Sequence, residues 1–303
     1  MRSRFGLLSA LKTSALLRKS AGVLRLLDSV DLQAAFIHSY FANFQNKSSS
    51  KLSLRLHRQV SFDRLLARFF AEKNAPWLLK GGYAMELRLR TARTTKDIDI
   101  SLPAEMVDAF DRDVVKRVQR SARIKLADFF TFVIGESQLD LNAAPQGGAR
   151  YPVVASIAGR VFTKFHLDVG IGDAVVQPTE LIEGRNWLDF AGIAPAMLMA
   201  ISKEQQFAEK LHAYTLPRHD SSNSRVKDLV DMVLLARLGT MDKSLLQQAI
   251  LATFSLRGTH PVPKDLPEPP AFWKAPFFVL ARECQLELTL PDALQILTEQ
   301  VSV

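Results

Sequence analysis

The 303-residue chain contains a single cysteine, Cys284. No intramolecular disulfide can form, and a zinc ribbon, which needs several thiolates, is excluded. A reducing, cytoplasmic setting is expected. Any run of 18 apolar residues is also missing, so no transmembrane helix is expected and no membrane partner. The third scarcity is local. Residues 1–60 hold two acids, Asp28 and Asp31, against ten Lys and Arg, and the rest of the chain holds 29 of each sign. The whole formal charge of +8 is therefore N-terminal. A basic arm of this kind suits a polyanionic partner, with RNA the obvious candidate.

The first 30 residues leave three readings open. Leu7, Leu8, Leu11, Leu16 and Leu17 recur at helical spacing, as in an amphipathic helix packed on the body. The same Arg-rich segment suits nucleic-acid contact or an organellar targeting role. Basic residues interrupt each apolar run, which speaks against a secretory signal.

Further along, "NKSSSK" (46–51) reads as a linker. Residues 52–73 repeat apolar positions at helical spacing and lead into "APWLL", two glycines and a short helix from about Tyr83 to Leu89. The strand "DIDISL" follows, and Pro103 then opens a helix, in the first-turn position that suits proline. Residues 129–171 read as β structure, with a turn at Gly159. From Pro195 the pattern reads as helical to the end, apart from the Pro-rich loop 260–276. The expected layout is α/β: a mixed sheet flanked by helices, followed by a C-terminal helical domain. The expected divisions are a basic helical extension over 1–50, an α/β domain over 51–190 and helices over 191–303.

The chemistry centres on carboxylates. In a strand, side chains at i and i+2 share a face, so Asp97 and Asp99 project together while Ile98 and Ile100 turn to the core. Two half-buried carboxylates side by side repel each other, and a divalent cation removes that cost. Asp168 alternates with Phe165, Leu167 and Val169 and so points away from their core face. If its strand lies beside "DIDIS", three carboxylates meet, a set able to hold two Mg²⁺ ions ~3.5–4 Å apart for in-line phosphoryl or nucleotidyl transfer. Gly81 and Gly82 sit between a strand-like run and a helix, where backbone N–H groups can approach a phosphate. Lys80, Arg93, Thr94, Thr95 and Lys96 are candidate phosphate donors around them. His166 shares the Asp168 face and reads as a sheet histidine rather than a ligand.

Three blocks together resemble the AbiEii/AbiGii family of toxins, within the polymerase-β-like nucleotidyltransferases. They are "LLKGGYAMEL…RTTKDIDIS" (78–101), "KFHLDVGIGD" (164–173) and "EQQFAEKLHAY…RVKDLVDMVLL" (204–235). The resemblance covers roughly residues 55–240. It implies a nucleotidyltransferase fold, a nucleoside triphosphate (NTP) substrate and Mg²⁺, two ions being expected. It also implies a toxin–antitoxin role with a cognate antitoxin. Carried over by position, Asp97, Asp99 and Asp168 are the metal ligands, and Asp168 also helps to activate the attacking hydroxyl. Lys210 and Asp228 are functional residues of the helical motifs, with Asp231 as a further candidate. Lys210 would touch the triphosphate, and Asp228 would orient Lys210 or Arg225. The family usually has Ser or Thr after the paired glycines; here it is Tyr83, which puts that hydroxyl contact with phosphate in question. An RNA acceptor, most sharply the tRNA 3′ end, is the leading expectation. A protein or small-molecule acceptor, and a non-catalytic nucleotide-binding module, remain the alternatives.

Overall fold

Period-two apolar patterning builds one mixed sheet, and helices cover it and extend beyond it. The computed structural model describes residues 30–47, 50–89, 93–103, 106, 113–141, 144–217, 225–237 and 241–301. The three readings of residues 1–30 thus fall almost entirely outside the described residues. Two helices come first, α1 (Val30–Lys47) and α2 (Ser50–Phe69). The stretch read as a linker carries helix up to Lys47 and again from Ser50.

Among the described residues eight strands form the sheet, in the order β3-β5-β6-β2-β1-β8-β7, with β4 against β5. They are β1 (Leu78–Lys80), β2 (Ile98–Leu102), β3 (Phe130–Ile134), β4 (Leu139–Asp140), β5 (Gly148–Ile157), β6 (Arg160–Ile171), β7 (Glu180–Glu183) and β8 (Met197–Ala200). Two pairings are parallel, β2 with β6 and β1 with β8, and the others are antiparallel. The β5–β6 hairpin turns on two residues, Ala158 (φ 50°) and Gly159 (φ 70°). Positive φ at both positions matches the right-handed twist of the flanking strands.

One face of the sheet packs on α2. Phe62 meets Phe165 edge-on at 4.8 Å and Tyr83 at 5.0 Å. Trp77, Ile98, Ile100, Leu167 and Val169 are buried in the same cluster, each such large apolar side chain contributing about 1.5–3 kcal/mol. Helix α3 (Gly81–Arg88) follows β1 directly, and α4 (Val114–Ala122) is capped by the Asp113 carboxylate, which accepts from the Lys116 amide at 3.1 Å. The helix read from Pro103 is regular only from Val114. Met106 lies in a single turn, and residues 104–105 and 107–112 are outside the described set.

The helical reading from Pro195 needs one correction. Met197–Ala200 is a strand, parallel to β1, with Leu79 opposite Ala200. A four-residue alternation inside a longer apolar run carries too little period to separate strand from helix. Helix α5 (Lys203–Thr215) starts just after it, where the Ser202 hydroxyl accepts from the Gln205 amide at 3.1 Å. Strand β7 was likewise not legible, whereas β4 falls within the stretch 129–171 read as β structure. Helices α6 (Val226–Arg237), α7 (Lys243–Arg257), α8 (Lys274–Glu283) and α9 (Leu290–Val301) follow, and they share a second buried cluster around Phe207, Leu229, Val233 and Trp273. Among the described residues no helix is long and apolar enough to cross a membrane.

Candidate active site

The strand register sets four charged residues in a row across the sheet. Lys80 on β1 lies opposite Asp99 on β2, Asp99 opposite Asp168 on β6, and Asp168 opposite Arg150 on β5. Residues in register share a face, so a pair of carboxylates sits between two cations. Asp97, one residue before β2, joins them: its Oδ2 is 3.6 Å from the Arg150 guanidinium and its Oδ1 is 3.4 Å from His166 Nδ1. The three acids named from the sequence thus meet on one patch.

Their electrostatics differ. Burial, and then the charge of Asp168, push the Asp99 carboxyl up to about 6, against the pull of Lys80, Lys210 and the Gly82 amide. Asp168 is paired at two points with Arg150, at 2.7 Å from Nε and 2.6 Å from the terminal nitrogen. Lys80 stands next to Asp99 in register, yet its ammonium is drawn to Asp173 and lies 3.7 Å from Glu209. Arg257 also reaches Asp173, at 3.1 Å. Burial raises the Asp173 carboxyl, but Lys80 and Arg257 outweigh it and leave it below the usual carboxylate range. Asp99 is therefore left short of positive charge. Hard oxygen donors with excess negative charge fit Mg²⁺ chemically. Among the described residues, however, no three His, Cys, Asp or Glu side chains are already disposed as a metal cage.

The glycines have a specific geometric reason. Gly81 adopts φ +65°, and a Cβ there would stand 2.0 Å from Asp99 Oδ2. Beside it, the Gly82 amide donates to the Asp99 carboxylate, and a Cβ on Gly82 would lie 2.6 Å from Thr95 Oγ1. The paired glycines let strand, helix and carboxylate approach within hydrogen-bond distance. Gly81→Ala is expected to cost at least ~1–2 kcal/mol for the left-handed backbone alone. It is also expected to lower activity ~10²-fold by displacing Asp99. Thermal melts and a transfer assay on the same preparation check both, and an active Gly81→Ala protein would remove the glycine from the site.

Around the turn, buried polar groups fix the loop. The Gln206 amide donates to the Gly81 carbonyl at 2.6 Å, and Arg88 donates to Gln206 Oε1 and to the Ile201 carbonyl. Glu86 is buried; it accepts from the Thr95 amide and from Gln59 at 2.5 Å. Thr95 Oγ1 donates to the Asp97 carbonyl at 3.3 Å. Tyr83 turns into the core, donating to Asp63 Oδ1 at 2.7 Å and to the Gln59 carbonyl at 3.2 Å. Its hydroxyl is unavailable to a phosphate, in keeping with the departure noted in the sequence. Lys96 is exposed.

The helical motifs close the other side. Lys210 of α5 is buried, with its ammonium 2.7 Å from Asp231 and 3.3 Å from Asp228 of α6. Burial pushes the Lys210 ammonium down, but Asp231 and Asp228 more than offset this, and its pKa stands above the ordinary lysine value. Asp231 also binds Arg93 at two points, 3.0 and 2.8 Å, and Asp228 lies 3.3 Å from Arg225. Arg93, read as a phosphate donor, is thus committed to α6. Arg150, Asp173, Glu209, Gln206 and Glu86 received no role from the sequence. Only Arg150 stood outside the recognised blocks.

A model of the family described as nucleotidyl transferase AbiEii toxin, type IV toxin–antitoxin system, matches residues 64–298. Among solved structures, MenT4, a nucleotidyltransferase toxin of Mycobacterium tuberculosis H37Rv, superposes with a TM-score of 0.53 at 16% identity, over 86% of this chain and 93% of that one. JHP933 of Helicobacter pylori gives 0.42 at 16% identity, over 84% and 94%. No curated protein matches the sequence.

Proposed function

Since the chain belongs to the AbiEii family of nucleotidyltransferase toxins, we propose that it moves a nucleotide from an NTP to an RNA acceptor, most specifically the 3′ end of tRNA. The observation that carries this reading is the register pair Asp99–Asp168, with Asp97 beside it, at the mouth of the Gly81–Gly82 turn. An acceptor hydroxyl attacks the α-phosphorus, the bond to the bridging oxygen breaks, and pyrophosphate leaves. Asp97, Asp99 and Asp168 are the residues that would hold Mg²⁺, two ions in our reading. When bound, the metal supplies charge neutralisation on the phosphates and acidifies the attacking hydroxyl.

The remaining roles belong to this chain's side chains. Asp168 takes the proton of the attacking hydroxyl. The Gly81–Gly82 turn and the start of α3 receive the β and γ phosphates, with Lys80, Thr95 and exposed Lys96 on the approach. Lys210 faces the developing negative charge, held in place by Asp228 and Asp231. Arg93 fixes the loop that carries Asp97. The excess of basic residues over positions 1–60 favours a polyanionic acceptor over a protein one. The protein would act in the cytoplasm as a toxin restrained by a partner antitoxin.

Labelled NTPs incubated with total RNA or with protein extract test the acceptor. Label is expected in the small-RNA fraction, and sequencing tRNA 3′ ends after expression of the protein alone should show added nucleotides. Label confined to protein would overturn the RNA reading. No transfer, with growth inhibition intact in Asp97→Ala and Asp99→Ala, would point to a binding module.

A further inference from the structure

The charged row ends at Arg150, and this residue explains why the acids are gathered yet not disposed as a cage. Its Nε and terminal nitrogen engage both oxygens of Asp168, at 2.7 and 2.6 Å. The same terminal nitrogen leans toward Asp97, at 3.6 Å. A divalent cation bound by these acids needs carboxylate oxygens at about 2.0–2.1 Å if it is Mg²⁺. Its two charges would then stand against the guanidinium. The two cations therefore compete for the same oxygens.

We infer that Arg150 occupies the metal-binding acids until nucleotide phosphates draw its guanidinium away, so that cation and NTP bind cooperatively through this one side chain. The inference rests on the metal-binding reading of Asp97, Asp99 and Asp168 given above. Three features support it. First, the Arg150 side chain is 32% exposed, against 13% for Asp168, so the guanidinium reaches solvent and can rotate outward without unpacking the core. Second, a guanidinium fork that fits a carboxylate at two points fits a phosphate in the same way, which gives Arg150 a second partner once a triphosphate arrives. Third, the other cation of the row is already diverted: Lys80 is held by Asp173 and Glu209. Arg150 is left as the residue whose release would bare Asp168.

A purely structural ion pair predicts something different. Removing Arg150 would then cost a little stability and leave metal affinity alone. In the competitive arrangement, removing it tightens the metal.

The experiment measures Mn²⁺ binding to the full chain by electron paramagnetic resonance of the free ion. Wild type, Arg150→Gln, Arg150→Lys and Asp99→Asn are compared. Titrations are run alone and with each of the four α,β-methylene nucleoside triphosphates, correcting for Mn²⁺ bound by nucleotide without protein. Arg150→Gln is expected to bind Mn²⁺ alone about fivefold to tenfold tighter than wild type, the worth of one partly exposed two-point ion pair. One analogue should tighten Mn²⁺ binding to wild type and add little in Arg150→Gln. Arg150→Lys, which keeps the charge and loses the fork, should fall between them. If Arg150→Gln melts well below wild type, Arg150→Lys decides alone. Equal or weaker Mn²⁺ binding in the deciding variant overturns the competition, and the metal reading survives if Asp99→Asn still abolishes wild-type binding. Absence of Mn²⁺ binding in every protein overturns both.

Discussion

Asp99→Asn is expected to lower nucleotide transfer by about 10³-fold or more while leaving the melting temperature unchanged or higher. The two halves of this expectation have one cause. In the folded chain Asp99 lies opposite Asp168 and, pushed up to about 6, is a carboxyl that is harder to ionise than in the unfolded chain. The asparagine oxygen still accepts from the Gly82 amide, and the amide fills nearly the same volume. Folding therefore loses a like-charge neighbour and no packing. Transfer loses the negative oxygen on which cation binding depends. Asp173→Asn should behave in the opposite sense. That carboxylate accepts from Lys80, Arg257 and Ser101 and is buried, so its neutralisation leaves cations without a partner and lowers stability. Thermal melts and transfer assays on the two variants separate the roles. Parallel loss of stability and activity in Asp99→Asn would make Asp99 a structural residue.

The contrast between these two acids also marks where sequence reading stops. Asp97, Asp99 and Asp168 were legible because alternation with Ile98, Ile100, Leu167 and Val169 fixes their face locally. Arg150 was not, since its place opposite Asp168 depends on a bulge. The hairpin begins with Ile157 opposite Arg160 and Ser156 opposite Val161, then shifts so that Ala155 faces Thr163. Counting back from the turn without that shift would set Ala149 opposite Asp168. Arg150 would then have been placed on the core face, since a one-residue slip exchanges the faces. Nothing in "ASIAGRVFTKF" announces the extra residue, Phe162 on β6. The commitment of Arg93 to Asp231 was hidden for a related reason. It joins a loop to a helix more than 130 positions away, and local pattern says nothing of such pairings. Tyr83 was informative in the other direction. An aromatic residue where a small hydroxyl is usual found its explanation in a buried acceptor, Asp63, on α2.

The second large effect is expected at the far edge of the sheet, three strands beyond β2. Asp128 stands just ahead of β3 and is buried with two guanidinium groups. Arg68 binds it at two points, each 2.7 Å, and Arg64 donates from Nε at 2.9 Å. Arg68 also donates to the Phe130 carbonyl at 2.7 Å and lies 4.9 Å from the centre of the Phe132 ring. The pair fastens α2 to the start of β3, where Phe129 is held at φ 67°, a conformation costly for a side chain of that size. Asp128→Asn keeps the shape and removes the charge, leaving two buried cations without their anion. The expected loss is about 3–5 kcal/mol, the range for breaking a buried pair from one side. For a chain of this size that corresponds to roughly 10 °C in melting temperature. Transfer per folded molecule, measured well below the transition, should be unchanged, because the acids sit on β2 and β6. Denaturant titration with a parallel transfer assay checks this. A loss under ~1 kcal/mol would mean that Arg64 and Arg68 find water or carbonyl partners when the carboxylate charge is removed. Reduced transfer at full stability would mean that the α2–β3 clamp reaches the active site through the sheet.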